Sequence, residues 1–136
     1  MDDDVQIRNL LRSVLEGQGY KVYDTSDGKE ALSKIRRNLP DIVLTDIVMP
    51  EIEGIELIRM IRKITTNVQI VAMSGASDGY LHAARVLGAD ATIQKPIDID
   101  GLLALMLSLS SSRTNRPHAL EAVKESIQNA GVGKWD

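Results

Sequence analysis

The chain has 136 residues, 43 % of them hydrophobic, and a formal net charge of −3; that is enough for one domain to bury its own core, with room for a short appendage. Its 16 lysines and arginines are scattered and not gathered into a stripe, which argues against direct nucleic-acid binding. Without cysteine there is neither a disulfide nor a thiolate metal site, and no apolar run reaches the ~20 residues of a membrane span.

The start, Met1-Asp2-Asp3-Asp4, is the opposite of a basic leader, so a soluble cytoplasmic protein with no membrane partner is expected. With no Phe, and with Tyr20, Tyr23, Tyr80 and Trp135 as the aromatics, the core must be aliphatic.

Helical and strand patterns alternate along the chain. Ile7, Leu10, Leu11, Val14 and Leu15 recur at helical spacing, and Gly17 and Gly19 stop them. Tyr20–Tyr23 reads as a short strand. Asp27 can cap a second helix, with Glu30 three residues on in a capping-box-like arrangement; that helix presents Ala31, Leu32 and Ile35 and ends by Pro40. Ile42-Val43-Leu44 is a continuous aliphatic run suited to a strand covered on both faces. A loop through Pro50 and Gly54 leads to a helix burying Leu57, Ile58 and Ile61. Val68–Met73 is a strand, Ser77–Leu87 a helix stopped by Gly88, Ala91–Gln94 a last strand, and Leu102, Leu103, Met106 and Leu109 mark a closing helix.

Strands separated by helices imply βαβ units, hence a parallel α/β sheet with helices on both faces. The domain is expected over residues 1–110. Residues 111–117 fall in a Ser, Arg, Thr and Asn tract that reads as a linker. In 118–136, Leu120, Val123 and Ile127 mark an extra helix, which can cap the domain, dock a partner or pair with a second copy.

In such sheets ligands sit at the carboxyl ends of the strands. Asp46, Ser74 and Lys95 end three strands, and Asp2 and Asp3 precede the first helix. Clustered carboxylates call for a cation, and an all-oxygen set suits a hard ion such as Mg²⁺. An ionised carboxylate can act as a nucleophile towards phosphorus, a lysine supplies mobile positive charge, and a serine a small donor. Those are the parts phosphoryl transfer needs. Taken singly, each has a plainer reading: a helix cap, a turn serine, a rigid Lys-Pro turn.

Taken together, Asp2-Asp3-Asp4 before a helix holding Arg8, Thr25-Ser26-Asp27-Gly28-Lys29-Glu30-Ala31-Leu32, Pro40-Asp41-Ile42-Val43-Leu44-Thr45-Asp46-Ile47-Val48-Met49-Pro50, Gly54, Ser74-Gly75-Ala76, Gly88-Ala89 and Lys95-Pro96 resemble the response-regulator receiver family over residues 1 to about 110. The resemblance implies a flavodoxin-like doubly wound parallel sheet of strand order 2-1-3-4-5. It makes Asp46 the phosphoacceptor, and Asp3 and Asp46 the direct Mg²⁺ carboxylates. Asp2 acts through water, and the Val48 carbonyl completes the ligands. Ser74 becomes the switch hydroxyl, Lys95 the phosphoryl-bridging lysine, and Lys95–Pro96 a cis bond. It also implies a histidine kinase or histidine phosphotransfer partner, and no enzymatic turnover beyond self-directed phosphorylation and dephosphorylation.

The sequence departs from that family in two places. The aromatic switch position on the last strand is Thr92, which has no ring to rotate. The hydrophobic strand that should run into the acidic pair, between the 20–23 and 42–46 strands, is truncated or missing, because Met1 directly precedes Asp2. Met1 is then expected to be the last residue of that strand, internal to a longer natural chain. Its α-amino group would otherwise compete with Mg²⁺. Nothing downstream reads as a replacement, Gly131-Val132-Gly133 being short and glycine-rich. The competing readings are a non-phosphorylated docking module with the same fold, or the detached C-terminal receiver of a hybrid histidine kinase. A flavin or nucleotide binder lacks its phosphate-cradling glycine loop.

Overall fold

The computed structural model describes residues 1–47, 54–75, 78–113 and 133–134. Three strands, β1 (Ile42–Asp46), β2 (Gln69–Ser74) and β3 (Ala91–Gln94), pair in parallel, with Leu44 opposite Val71 and Ala72 opposite Thr92. Five helices, α1 (Val5–Gly17), α2 (Gly28–Arg37), α3 (Gly54–Ile64), α4 (Asp78–Val86) and α5 (Ile99–Arg113), cover both faces. The two-residue strand period divides the core. Val43, Ile70 and Ala72 pack with Ala31, Leu32 and Ile35 of α2, Leu57, Ile58 and Ile61 of α3 and Ala84 of α4. Ile42, Leu44, Val71 and Met73 pack on the other side with Leu11 and Leu15 of α1 and Leu102 and Met106 of α5.

Local chemistry sets the helix ends. Asp4 and Asp27 cap α1 and α2, their carboxylates accepting from the amides of Gln6 (2.9 Å) and Lys29 (2.8 Å). The reciprocal half of the expected capping box does not form. The Thr25 hydroxyl takes the Asp27 amide (3.1 Å), and Glu30 turns to the Thr25 hydroxyl (2.9 Å) and to Lys34 (3.0 Å). Those two partners hold the Glu30 carboxyl below the usual glutamate value.

The first-strand region differs from expectation. The sheet order is β3-β2-β1-β4, where β4 is Gly133–Lys134, running parallel to β1 with Gly133 opposite Val43 and Lys134 opposite Leu44. A downstream segment therefore does pair in the position flanking β1, contrary to the reading of it as too short and glycine-rich. Met1 continues the same ladder. Its amino group donates to the Leu44 carbonyl, and its own carbonyl accepts from the Asp46 amide at 2.9 Å. The backbone groups at the end of β1 are thereby satisfied, which avoids about 1–3 kcal/mol for each one buried unpaired.

Residues 20–23 are not a strand of this sheet, Val22 alone forming a bridge. They are held instead by Tyr20 N donating to Leu15 O (3.1 Å) and by Arg12 Nη2 donating to the Val22 carbonyl (2.9 Å). Helix α5 extends to Arg113, three residues into the expected linker; serine costs a helix no more than about 0.7 kcal/mol relative to alanine, which a helix already started by the leucines before it can absorb. The helix expected over 118–130 lies outside the described residues. Among the described residues no helix is long and apolar enough to cross a membrane.

Candidate functional site

β1 is buried along its whole length and delivers Asp46 to the carboxyl edge of the sheet. There the next residue is locked to β2, Ile47 N donating to Met73 O at 3.0 Å. The chain then returns so closely that a Cβ on Gly54 would lie 2.0 Å from the Asp46 carbonyl oxygen, while Gly54 N donates to Ile47 O at 2.7 Å. Only glycine fits that approach.

Asp2 and Asp3 reach the same edge from the start of α1. Asp2, Asp3 and Asp46 each present a carboxylate oxygen within 4.8 Å of the others; Asp2 and Asp46 are buried and Asp3 is exposed. Lys95, just after β3, closes the group from the far side. Its Nζ donates to Asp2 Oδ2 at 2.7 Å and stands 3.3 Å from Asp46 Oδ2. Lys95 N also donates to the Ser74 carbonyl at 2.9 Å, tying the lysine to the end of β2 where buried Ser74 sits.

The electrostatics follow from this crowding. Burial pushes the Asp46 carboxyl above the ordinary aspartate value and the charge of Asp2 adds to the rise, while Lys95 opposes it without cancelling it. Burial works against the Lys95 ammonium, but the hydrogen bond and charge of Asp2, joined by Asp46, outweigh it and leave its pKa raised. The net result is a carboxylate under pressure to gain a cation or a proton, next to an ammonium held firmly charged. The oxygen-only donor set fits a hard dication.

The structure thus brings together Asp2, Asp3, Asp46, Ser74 and Lys95 along one edge. Val48, expected to lend its carbonyl, lies outside the described residues. The Lys95–Pro96 peptide is cis. Thr92 lies in β3, and its hydroxyl accepts from Arg85 Nη2 of α4 at 3.2 Å, so a polar contact stands at the expected aromatic position. Two residues with no assigned role in the sequence reading reach the site: Arg8, present there only within the acidic motif, donates from Nη1 to the Asp2 carbonyl at 2.9 Å, and Asp24, which carries no local signal, places Oδ2 3.7 Å from Arg8 Nε. A surface groove of about 470 Å³, lined by Lys29, Leu32, Ser33, Arg36, Arg37 and Met60, lies between α2 and α3, away from this chemistry.

Comparison with known proteins gives the same reading. The family model for the response regulator receiver domain matches residues 1–107. The sporulation initiation phosphotransferase F of Bacillus subtilis is 32 % identical over 101 residues, covering 74 % of this chain and 82 % of that protein. The response regulator MprA of Mycobacterium sp. (strain KMS) is 36 % identical over 110 residues, covering 80 % of this chain; the chain spans only 48 % of that relative's length. The CheY-like receiver domain protein of Methanospirillum hungatei JF-1 superposes with a TM-score of 0.78 at 30 % identity, over 85 % of this chain and 94 % of that one. With the fold, the edge on which the acids, serine and lysine meet, and a family match over most of its length, this chain belongs to the response-regulator receiver family of two-component systems.

Proposed function

We propose that Asp46 accepts a phosphoryl group from the phosphohistidine of a histidine kinase or a histidine phosphotransfer protein. The observation that carries this reading is the joint placement of three carboxylates within 4.8 Å, closed by Lys95. An Asp46 carboxylate oxygen attacks phosphorus in line; the O–P bond forms as the P–N bond to the imidazole breaks, and the freed imidazole takes up a proton. The residues Asp2, Asp3 and Asp46, with the Val48 carbonyl, would hold Mg²⁺, which supplies positive charge against the phosphoryl oxygens. Lys95 stands where its ammonium can transfer from Asp2 to a phosphoryl oxygen, and Ser74 offers a hydroxyl at the end of the neighbouring strand.

Signalling would pass through the Ser74 loop and α4, because a phosphoryl group that draws Ser74 inward biases a two-state loop. On this reading the protein works in the cytoplasm as a switch, with no turnover beyond gain and loss of its own phosphoryl group. A second reading, a docking module that keeps the fold without the switch, is favoured by one observation: Thr92 offers Arg85 a hydroxyl where a ring would turn. Mg²⁺-dependent beryllofluoride binding separates the two. The phosphoacceptor reading expects binding that disappears in Asp46→Asn; a folded parent that binds no beryllofluoride in Mg²⁺ supports the docking module.

A further inference from the structure

We propose that Arg8 is a positioning residue that fixes the Asp2–Asp3 peptide, and through it the Asp3 carboxylate, for divalent-cation binding; this rests on the reading of the acids as a Mg²⁺ site. Arg8 lies one turn into α1, its amide donating to the Asp4 carbonyl at 3.1 Å, and its side chain reaches back so that Nη1 donates to the Asp2 carbonyl at 2.9 Å. That carbonyl belongs to the peptide plane joining Asp2 to Asp3. Asp2 is held at its other polar groups as well: its amide donates to Thr25 O at 3.3 Å, Oδ1 accepts from Asp4 N at 3.0 Å, and Oδ2 accepts from Lys95. Those contacts hold Asp2 itself. Asp3 is exposed, and the preceding peptide plane fixes the point and direction from which its side chain starts towards Asp46. A group that holds this plane therefore narrows the positions its carboxylate can take.

The guanidinium is itself anchored. Its Nε stands 3.7 Å from Asp24 Oδ2, and Asp24 Oδ1 takes Arg12 Nη2 at 3.2 Å. The Asp24 carbonyl accepts from Lys34 Nζ at 3.1 Å. A planar fork meets a carbonyl with one edge and a carboxylate with another at a fixed spacing and angle, a geometry that an ammonium on a flexible stem does not impose. Arg8 thus joins α1, the 20–25 segment and the acids in the region where the sheet provides fewest ladder bonds.

The test measures Mg²⁺ affinity calorimetrically and, independently, the rise in thermal midpoint that Mg²⁺ produces, in the parent chain and three variants. Losing a group that orients metal ligands costs on the order of 10-fold in affinity, so Arg8→Met is expected to bind Mg²⁺ about 10-fold more weakly. Arg8→Lys, keeping charge and one donor, should fall between Arg8→Met and the parent. Arg12→Met, which loses the Asp24 pair and the Val22 carbonyl but no bond to Asp2, should stay within about two-fold of the parent while losing stability. A folded Arg8→Met that binds Mg²⁺ like the parent overturns the proposal, as does an equal loss in Arg12→Met. If Arg8→Met does not fold, Arg8→Lys decides in the same way, unchanged affinity overturning the proposal. A parent chain that binds no Mg²⁺ refutes the functional reading itself, an outcome distinct from unchanged binding in the variants.

Discussion

The two halves of the site are held by different means. Asp46, Ser74 and Lys95 stand at the ends of β1, β2 and β3, whose register is fixed over five and four residue pairs; the side chains of β1 and β2 are almost wholly buried and those of β3 partly so. Asp2 and Asp3 are placed by the two bonds of Met1 to β1, by the Asp2 amide bond to Thr25 O, and by side-chain contacts from Arg8 and Lys95, beside a β4 that pairs with β1 over two residues only. A strand ladder positions its terminal residue cooperatively. Separate side-chain bonds position it one contact at a time, so changes in the two halves should differ in kind. Changes to the strands that carry the first should destabilise the whole domain; changes to the contacts that hold the second should disturb the acids while leaving the core intact.

The largest effects are expected at Gly54→Ala and Leu44→Ala. The methyl group of Gly54→Ala would press on the Asp46 carbonyl, a backbone atom that cannot rotate away, so a loss of about 3 kcal/mol is expected in urea denaturation. Leu44→Ala in fully buried β1 should cost a comparable ~2–5 kcal/mol. Lys95→Met leaves Asp2 and Asp46 facing each other without their cation. Because Lys95 is partly exposed, about 2 kcal/mol is expected in metal-free buffer, with most of it regained in Mg²⁺. A loss that Mg²⁺ fails to repair would mean that the lysine acts as packing and not as charge.

Ending the chain at Val132 removes β4 and should cost about 1–2 kcal/mol. Hydrogen exchange should quicken along β1 but not between β2 and β3. Equal quickening in both places would erase the distinction between the two halves.

Asp46→Asn should stabilise the metal-free protein at neutral pH. The folded-state pKa of Asp46 is raised, so the native state binds its proton more tightly than the unfolded chain does. Its ionised form therefore costs stability above that raised pKa, and the cost vanishes below the unfolded value. The difference in thermal midpoint between variant and parent should accordingly shrink as pH falls through that window. A difference independent of pH would assign the effect to packing. The smallest effect is expected at Thr92→Val, which loses one exposed hydrogen bond to Arg85 and should shift stability by less than about 0.5 kcal/mol.

The same division shows in what the sequence made legible. Ile42-Val43-Leu44 and Val68–Met73 are apolar enough to be strands whatever surrounds them, so the residues that end them could be placed before the structure was known. Asp27 was readable as a cap because capping is local, but Glu30 was not readable as a partner of Lys34 and Thr25, since several donors of similar merit lie within reach of its carboxylate. Tyr20–Tyr23 has strand composition, yet strand formation depends on the neighbour available, and α1 contacts the segment through Leu15 and Arg12 instead. Gly133–Lys134 has no periodicity to read; its pairing comes from the edge that β1 presents. Arg8 and Asp24 were invisible as site residues because their role is a meeting of three segments.

The most direct test of the central claim is intact-mass spectrometry of the chain after treatment with a small-molecule phosphoryl donor such as phosphoramidate, with Mg²⁺ or with EDTA. One phosphoryl group per chain is expected in Mg²⁺, none in EDTA and none in Asp46→Asn. Failure of the folded parent to gain a phosphoryl group in Mg²⁺, or its gain by Asp46→Asn, would contradict the assignment of Asp46 as the acceptor.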